Sequence, residues 1–264
     1  MTTLIIDCCQ DGLIVGLFNQ EGAIVSSIIE PMKRGQAEAL MPAVSELLAF
    51  DPETTQMPEI DRIIVTHGVG SFVGARVGLA GAQGLAIVTG APVYPVSTLT
   101  VWAWEALKAN DDPQTDLSNG LTVILPGGRE EVFFQTFRWT AVDGSDRAET
   151  PTLQFGSQNV RWRPIATHDA RAVKETELKD HISLTQTCVF TSHMLTSRLG
   201  FLTPEASKPT NSIIVFDCFP SFESYWRAAE NGEPKDTITP LYVRPPDAKP
   251  ARPLLQVDCA PQQS

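Results

Sequence analysis

The feature that most constrains the fold is a glycine-rich stretch at residues 65–92, which reads VTHGVGSFVGARVGLAGAQGLAIVTGAP. It begins as the end of an apolar strand, passes through a glycine-rich turn and continues as a long helix. Gly78, Gly81 and Gly84 fall inside that helix, and each interior glycine costs about 1 kcal/mol relative to alanine. The usual compensation is close backbone approach. The stretch therefore predicts a helix packed at very short range, either on its own sheet or against a partner subunit.

Composition limits the classes of function that the chain can have. The 264 residues are 42% hydrophobic, which is enough for one large globular domain or two modest ones. The net charge of −11 disfavours an independent nucleic-acid-binding surface, which needs a basic patch. Five cysteines without a C-x-x-C pair indicate a reducing compartment. We expect no membrane-spanning run and no signal peptide, and hence a cytoplasmic protein.

The order of the predicted elements indicates the fold class. An antiparallel meander of three strands is followed by a helix, a strand, the glycine-rich helix and a further strand. This order is typical of an α/β lobe of the actin-like (ribonuclease-H-like, ASKHA) fold, whose later strands join by parallel crossovers. The predicted segments outside the glycine-rich helix are residues 3–7, 13–19, 23–29, 36–50, 61–66 and 93–96.

The second half predicts a second, degenerate copy of the lobe. A hairpin at residues 121–125 and 132–139 opens it, and the signals between residues 141 and 179 are weak apart from an edge strand. Residues 212–219 fit either a strand or a helix, whereas residues 221–230 predict a helix. We predict lobes at residues 1–105 and 106–244 and a proline-rich tail at 245–264.

Two places in the first lobe are candidates for nucleotide binding. Asp7 ends the first strand, where actin-like ATPases keep an acid that helps to hold metal and phosphates; the alternative is a turn-former or cap. Gly68, Gly70 and Ser71 form a turn before a helix, where backbone N–H groups can cradle a phosphate. The alternative is a plain strand-to-helix turn with Ser71 as N-cap.

The start of the second lobe lacks the matching acid. The sequence there is Pro126-Gly127-Gly128-Arg129, which we interpret as a hairpin turn with glycines at positive φ. No two of the four histidines share a helical face, so we expect no metal site, and a metallopeptidase is disfavoured. An active actin-like ATPase or small-molecule kinase is the alternative function.

The glycine-rich stretch resembles the TsaB (YeaZ) family, which runs G-x-G-S-F-T-G-x-R-x-G-x-x-x-A-x-G-L-A and then V-S-T-L. Residues 240–244, PLYVR, resemble the closing P-x-Y-L-R of that family. The chain departs from the family at Gln36, where a histidine is usual, and at Pro126, where the family has an aspartate. The matching residues are Gly68, Gly70, Ser71, Phe72, Gly74, Arg76, Gly78, Ala82, Gly84, Leu85, Ala86, Ser97, Thr98 and Leu99.

The resemblance implies a non-catalytic scaffold subunit rather than an enzyme. Members pair with a TsaD-like catalytic subunit, and with a TsaE-like ATPase, to make threonylcarbamoyladenosine in tRNA, and they form a homodimer when alone. We expect no resident cofactor, with ATP or ADP at a partner interface left open, and tRNA contact only through the complex. By the resemblance, two helices meet the partner's matching pair, and the residues predicted to bind it are Leu40, Val44, Leu47, Val77, Ala80, Gly81 and Gly84.

The charge predicts that the isolated chain binds tRNA weakly or not at all, because phosphate contacts dominate such affinity. A titration of labelled tRNA with the pure protein at two salt concentrations checks this. Tight binding that weakens steeply with salt would contradict it.

Overall fold

The computed structural model describes residues 2–19, 23–48, 59–108, 120–141, 152–155, 158–182, 188–199, 213–216, 219–230 and 232–243. The predicted tail at 245–264 lies outside these residues. The first half of the chain forms a five-stranded sheet in the order β3-β2-β1-β4-β5. Its elements are β1 (Thr3–Asp7), β2 (Gly12–Phe18), β3 (Ile24–Pro31), α1 (Gln36–Leu47), β4 (Arg62–Thr66), α2 (Phe72–Thr89), β5 (Val93–Val96) and α3 (Thr98–Lys108).

The second half forms a larger sheet whose main path is β12-β11-β6-β7-β9-β8, with β10 paired to β7. Residues 212–219, whose sequence fits either a strand or a helix, contain the strand β12. Between residues 141 and 179, where the sequence signals for secondary structure are weak, the chain forms β8, β9, β10 and the start of the short helix α4. The elements are β6 (Leu121–Pro126), β7 (Glu131–Ala141), β8 (Thr152–Phe155), β9 (Gln158–Ala166), β10 (Arg171–Lys174), α4 (Leu178–His181), β11 (Cys188–Ser192), α5 (His193–Arg198), β12 (Ile213–Phe216) and α6 (Phe222–Glu230).

The two sheets repeat one topology. In the first, β1 pairs antiparallel with β2 and parallel with β4; in the second, β6 pairs antiparallel with β7 and parallel with β11. Read from the other edge, β9-β7-β6-β11-β12 matches β3-β2-β1-β4-β5. The actin-like α/β fold is therefore confirmed. The second copy is reduced, since α4 and α5 have 4 and 6 residues where α1 and α2 have 12 and 18.

Helices α3 and α6 lie between the two sheets. Phe222 and Tyr225 of α6 pack with Ile5, Ile14 and Ile64 of the first sheet, while α3 packs its tryptophans against the second sheet. Glu105 of α3 accepts hydrogen bonds from the backbone and hydroxyl of Ser221, which precedes α6. The predicted lobe boundary between residues 105 and 106 falls inside α3 and remains a prediction.

Helices α1 and α2 cover the other face of the first sheet, and α1 uses its apolar side chains there. Leu40, Val44 and Leu47 are all buried in this core. A Cβ at Gly81 would lie 2.7 Å from Leu40 Cδ2, so Gly81 makes room for α1. The prediction that Leu40, Val44 and Leu47 face a partner is therefore corrected, because these side chains attach α1 to its own sheet.

Helix α2 is 18 residues long with a mean hydropathy of 1.4, which is enough, by length and composition alone, to cross a membrane. The expectation was that no apolar run is long enough to span a membrane. Helix α2 passes this test because Arg76 is the single charged residue among its alanines, valines and leucines. A core helix of a soluble protein passes the same test. Gly78 lies against Val65 of β4, so one side of α2 is packed on the sheet.

The turn between β6 and β7 differs from the prediction in its backbone. The positive φ values, both 60°, fall on Arg129 and Glu130 rather than on Gly127 and Gly128. A Cβ at Gly127 would lie 2.7 Å from the Glu131 carbonyl oxygen, whereas nothing lies within 4 Å of one at Gly128. Gly127 therefore serves a close approach, and Gly128 is open to substitution.

Leucine at Gly81 and leucine at Gly84 should have opposite effects on stability. At Gly81 the new side chain meets buried Leu40, and overpacking of this kind costs about 1–3 kcal/mol. At Gly84 a Cβ meets nothing within 4 Å, and replacing a helix-interior glycine gains up to about 1 kcal/mol. Urea unfolding of both variants measures the difference; a loss at Gly84 as large as that at Gly81 would contradict the packing described.

Candidate functional site

The carboxyl group of Asp7 is fully buried at the end of β1 and accepts four hydrogen bonds. The backbone N–H of Cys9 and the hydroxyl of Thr66 donate to Oδ1, at 2.7 and 2.6 Å. The amide of Gln10 and the hydroxyl of Tyr225 donate to Oδ2, at 2.8 and 2.7 Å. Every donor belongs to this chain, so the group expected to hold metal and phosphate is already fully engaged.

Aromatic side chains fill the space next to Asp7 between the sheets. Trp102 of α3 donates its indole N–H to the Gln10 side-chain oxygen at 2.9 Å. Its ring stacks on Phe216 with 3.7 Å between centroids and lies 5.7 Å from the ring of Phe190. Trp102 is 1% exposed. Packed rings from α3, β11 and β12 therefore lie next to Gln10, which itself holds Asp7.

The loop after β1 packs directly against the N-terminus of α2. Ser71 N–H donates to the Cys9 carbonyl at 2.6 Å, and the Ser71 hydroxyl accepts from Gly74 N–H at 3.0 Å as an N-cap. A Cβ at Gly70 or Gly74 would lie 2.0 or 1.8 Å from the carbonyl oxygen of Cys9 or Cys8. These glycines are needed because two backbone segments touch. Ser71 N–H therefore contacts a carbonyl where a phosphate oxygen was predicted.

The C-terminal segment at residues 232–243 covers the remaining side of this turn. Leu241 N–H donates to the His67 carbonyl at 2.7 Å, and a Cβ at Gly68 would lie 3.2 Å from the Leu241 carbonyl oxygen. Ile238 of the same segment is buried in the first core. Burial lowers the pKa of His67 below its usual value. Gly68, Gly70 and Ser71 therefore all contact this chain's own backbone.

The cysteine and tyrosine side chains next to Asp7 are all buried. Burial raises the pKa of the Cys8 thiol to about 12 and that of Cys9 well above its usual value, so neither is a nucleophile at neutral pH. Burial and the neighbouring Asp7 also raise the pKa of Tyr225. Within the described ranges, no three His, Cys, Asp or Glu side chains are grouped to hold a metal ion.

The second candidate is the solvent-facing side of α2. Of the predicted partner-binding residues, Ala80 and Gly84 are exposed, while Val77 and Gly81 are half-buried beside α1. The same side carries large apolar residues that were not among those predicted to bind a partner: Phe72, Val73, Ile87 and Val88, at 56, 64, 85 and 69% exposed. We call the set of Phe72, Val73, Arg76, Ala80, Gly84, Ile87 and Val88 the α2 face.

The α2 face could have been found from the helical period. At 100° per residue its members fall within about 160° of arc, and the buried residues of α2 occupy the rest. By contrast, Tyr225 and Trp102 carried no signal, because their roles depend on contacts with residues that lie 218 and 92 positions away in sequence.

Comparison with known families and proteins gives one consistent family. The family described as "TsaD: tRNA N6-adenosine threonylcarbamoyltransferase" matches residues 23–156, about half of the chain. The chain is 32% identical over 110 residues to the tRNA threonylcarbamoyladenosine biosynthesis protein TsaB of Escherichia coli, covering 42% of this chain and 46% of that protein. It is 32% identical over 134 residues to TsaB of Haemophilus influenzae, covering 51% and 52%. The matches span about half the length of these relatives.

Two solved structures share the fold over nearly the whole chain. One is described as an uncharacterized protein with similarity to peptidase YEAZ from Pseudomonas aeruginosa, with a TM-score of 0.63 and 19% identity over 92% of this chain and 99% of that one. The other is YeaZ from Pseudomonas aeruginosa, with a TM-score of 0.61 and 19% identity over 91% and 99%. At this identity the likeness concerns the fold.

Tyr225→Phe should destabilise the protein by about 1–3 kcal/mol, because it removes one donor from a fully buried carboxyl group. Tyr94→Phe is the matched control: Tyr94 is half-buried, and in the described part of the chain its hydroxyl has no hydrogen-bond partner. Urea unfolding compares the two. Equal stability of both variants would mean that the Tyr225 hydroxyl does not hold Asp7.

Proposed function

The chain belongs to the family whose model matches residues 23–156, and its curated relatives are TsaB proteins; on that premise we propose that it is a TsaB-like, non-catalytic subunit in the synthesis of threonylcarbamoyladenosine in tRNA. In this proposal it pairs with a TsaD-like catalytic subunit and works with a TsaE-like ATPase in the cytoplasm. The single observation that carries the non-catalytic part is the closed environment of Asp7, whose four hydrogen-bond donors all come from the chain itself.

The second lobe supports the same proposal. Pro126 stands at the end of β6, the strand that matches β1, so no carboxylate faces the crevice from that strand end. An actin-like ATPase or small-molecule kinase needs acids and phosphate-binding loops on both sides of its crevice. The engaged Asp7 and the proline at the matching position count against that alternative.

The α2 face supports pairing with another protein. Ile87 and Val88 are 85 and 69% exposed next to the small residues Ala80 and Gly84. Large exposed apolar side chains grouped on one helix are unusual on a monomer surface and are typical of an interaction site. Small residues between them let a second backbone approach closely. In the proposal, tRNA reaches this subunit only through the complex, since the net charge is −11.

The function itself is tested in a cell that lacks its own TsaB. Expression of this chain should restore threonylcarbamoyladenosine in tRNA, measured by mass spectrometry of digested tRNA, when the cognate TsaD-like subunit is supplied with it. Absence of the modified nucleoside, with both proteins soluble and the remaining components present, would reject the proposal.

Ala80→Arg should weaken pairing with the TsaD-like subunit about 10- to 100-fold, because a long charged side chain then stands in the middle of the α2 face. The melting temperature of the lone chain should change little, since Ala80 is exposed. Ala166→Arg, at an exposed position on β9, is the matched control. Isothermal titration measures the affinity, and unchanged affinity for Ala80→Arg would exclude the α2 face as the contact.

A further inference from the structure

An arginine is held in a fixed position on the α2 face by two aromatic rings. The guanidinium carbon of Arg76 lies 3.5 Å from the centre of the Phe72 ring and 5.5 Å from that of Tyr242. Its Nε donates a hydrogen bond to the Tyr242 hydroxyl at 3.1 Å. The two rings are 5.7 Å apart, and both are about half exposed. The cluster therefore lies at the surface rather than in a core.

The terminal amino groups of Arg76 remain available. Among the residues that the structure describes, none forms an ion pair or hydrogen bond with these two groups. A guanidinium carries five N–H donors in a rigid fork, and the bond from Nε uses one of them. The four donors on the terminal nitrogens are left at an exposed position.

This fixation prepares Arg76 for an anion. A free arginine loses rotamer freedom when it binds, and stacking on Phe72 together with the bond to Tyr242 has already removed part of that freedom. The preferred partner of a guanidinium fork is a carboxylate or phosphate, which accepts two parallel charge-assisted hydrogen bonds. Arg76 is also the single charged residue of α2.

The surroundings of Arg76 favour an anion carried by a protein. Arg76 lies one turn from Val73 and Ala80 on the same side of α2, and the exposed apolar residues Ile87 and Val88 follow further along the helix. Apolar side chains of this kind pack against another protein, whereas an RNA surface needs further basic residues around the anchor.

We propose that Arg76 is a specificity-determining contact that binds a carboxylate side chain of the partner protein docked on the α2 face. This inference rests on the proposed function, since it uses the same surface. Phe72 and Tyr242 are positioning residues: they orient the guanidinium and leave its terminal amino groups for the partner. Arginines that are flanked by apolar contacts are common among the residues that carry most of the binding energy of an interface.

If Arg76 binds the partner, the segment at residues 232–243 takes part in recognition as well. Tyr242 belongs to the segment at residues 232–243. This segment is fixed to the first lobe by the buried side chain of Ile238 and by the hydrogen bond from Leu241 N–H to the His67 carbonyl. The orientation of Arg76 therefore depends on chain that lies 166 residues further along the sequence. Residues from α2 and from the end of the described chain form one recognition element.

The test compares the affinity of the full chain and its variants for the purified TsaD-like subunit by isothermal titration. Arg76→Ala should weaken binding about 10- to 100-fold, as expected for loss of a charge-assisted pair. Arg76→Lys should recover only part of it, because lysine has no planar fork. Tyr242→Phe, which keeps the ring, should weaken binding less than Arg76→Ala. Arg171→Ala, at an exposed arginine on β10, is the matched control and should bind normally.

Salt dependence separates a charge contact from a packing effect. The affinity of the unaltered chain should fall as salt is raised, and that dependence should be reduced in Arg76→Ala but kept in Arg171→Ala. Melting temperatures of the lone variants should stay close to that of the unaltered chain, since Arg76 is exposed.

Each of the other possible results of these experiments overturns one specific part of the proposal. If Ala80→Arg weakens pairing and Arg76→Ala does not, the carboxylate contact is wrong and the proposed function stands. If neither changes pairing, the α2 face is not the contact. If Arg76→Ala instead abolishes binding of tRNA to the isolated chain, the anion is an RNA phosphate. If sedimentation shows that Arg76→Ala splits a dimer of this chain while pairing with the TsaD-like subunit is intact, the carboxylate belongs to a second copy of this chain.

Discussion

The structure of the first lobe depends on the hydrogen bonds that the buried carboxyl group of Asp7 accepts. This carboxyl group joins the end of β1 to the following loop, to Thr66 at the end of β4 and to Tyr225 of α6. An unpaired carboxyl group at this depth would cost several kcal/mol, so the four donors and the acid must be present together. One acid thereby sets the position of α6 and closes the place where an actin-like enzyme would bind phosphate.

The duplicated topology gives both sheets inner and outer helices, but these helices differ between the two halves. Both sheets place a helix on the inner side, α3 or α6, and these two meet through Glu105 and the start of α6. The outer helices differ: α1 and α2 have 12 and 18 residues, and α2 leaves large apolar side chains exposed, whereas α4 and α5 have only 4 and 6 residues. Among the described elements, only the first sheet carries a long outer helix with large apolar side chains exposed.

The sequence was sufficient for the first sheet, because strands such as Thr3–Asp7 and the helix after Ser71 have strong local patterns. It did not settle residues 212–219, since a short apolar run fits a strand or a helix, and pairing with β11 decides for the strand. Gly78, Gly81 and Gly84 of α2 were recognised as sites of close approach, but their neighbours were not. Gly78 lies beside Cys8 and Val65 and Gly81 meets Leu40, whereas a Cβ at Gly84 would meet nothing within 4 Å. Local pattern gives the element, and only tertiary contacts tell these glycines apart.

The hydrogen bond between Tyr225 and Asp7 joins residues 218 positions apart, and this has a consequence for synthesis on the ribosome. Chains emerge N-terminus first, and domains usually fold in that order. Here β1 to β5 can pair early, but one side of their sheet stays uncovered until α6 has left the ribosome. Contacts of such separation close slowly. The first lobe, although made first, must therefore wait for nearly the whole chain before it is complete, and a nascent or truncated chain would expose the apolar side of that sheet to chaperones.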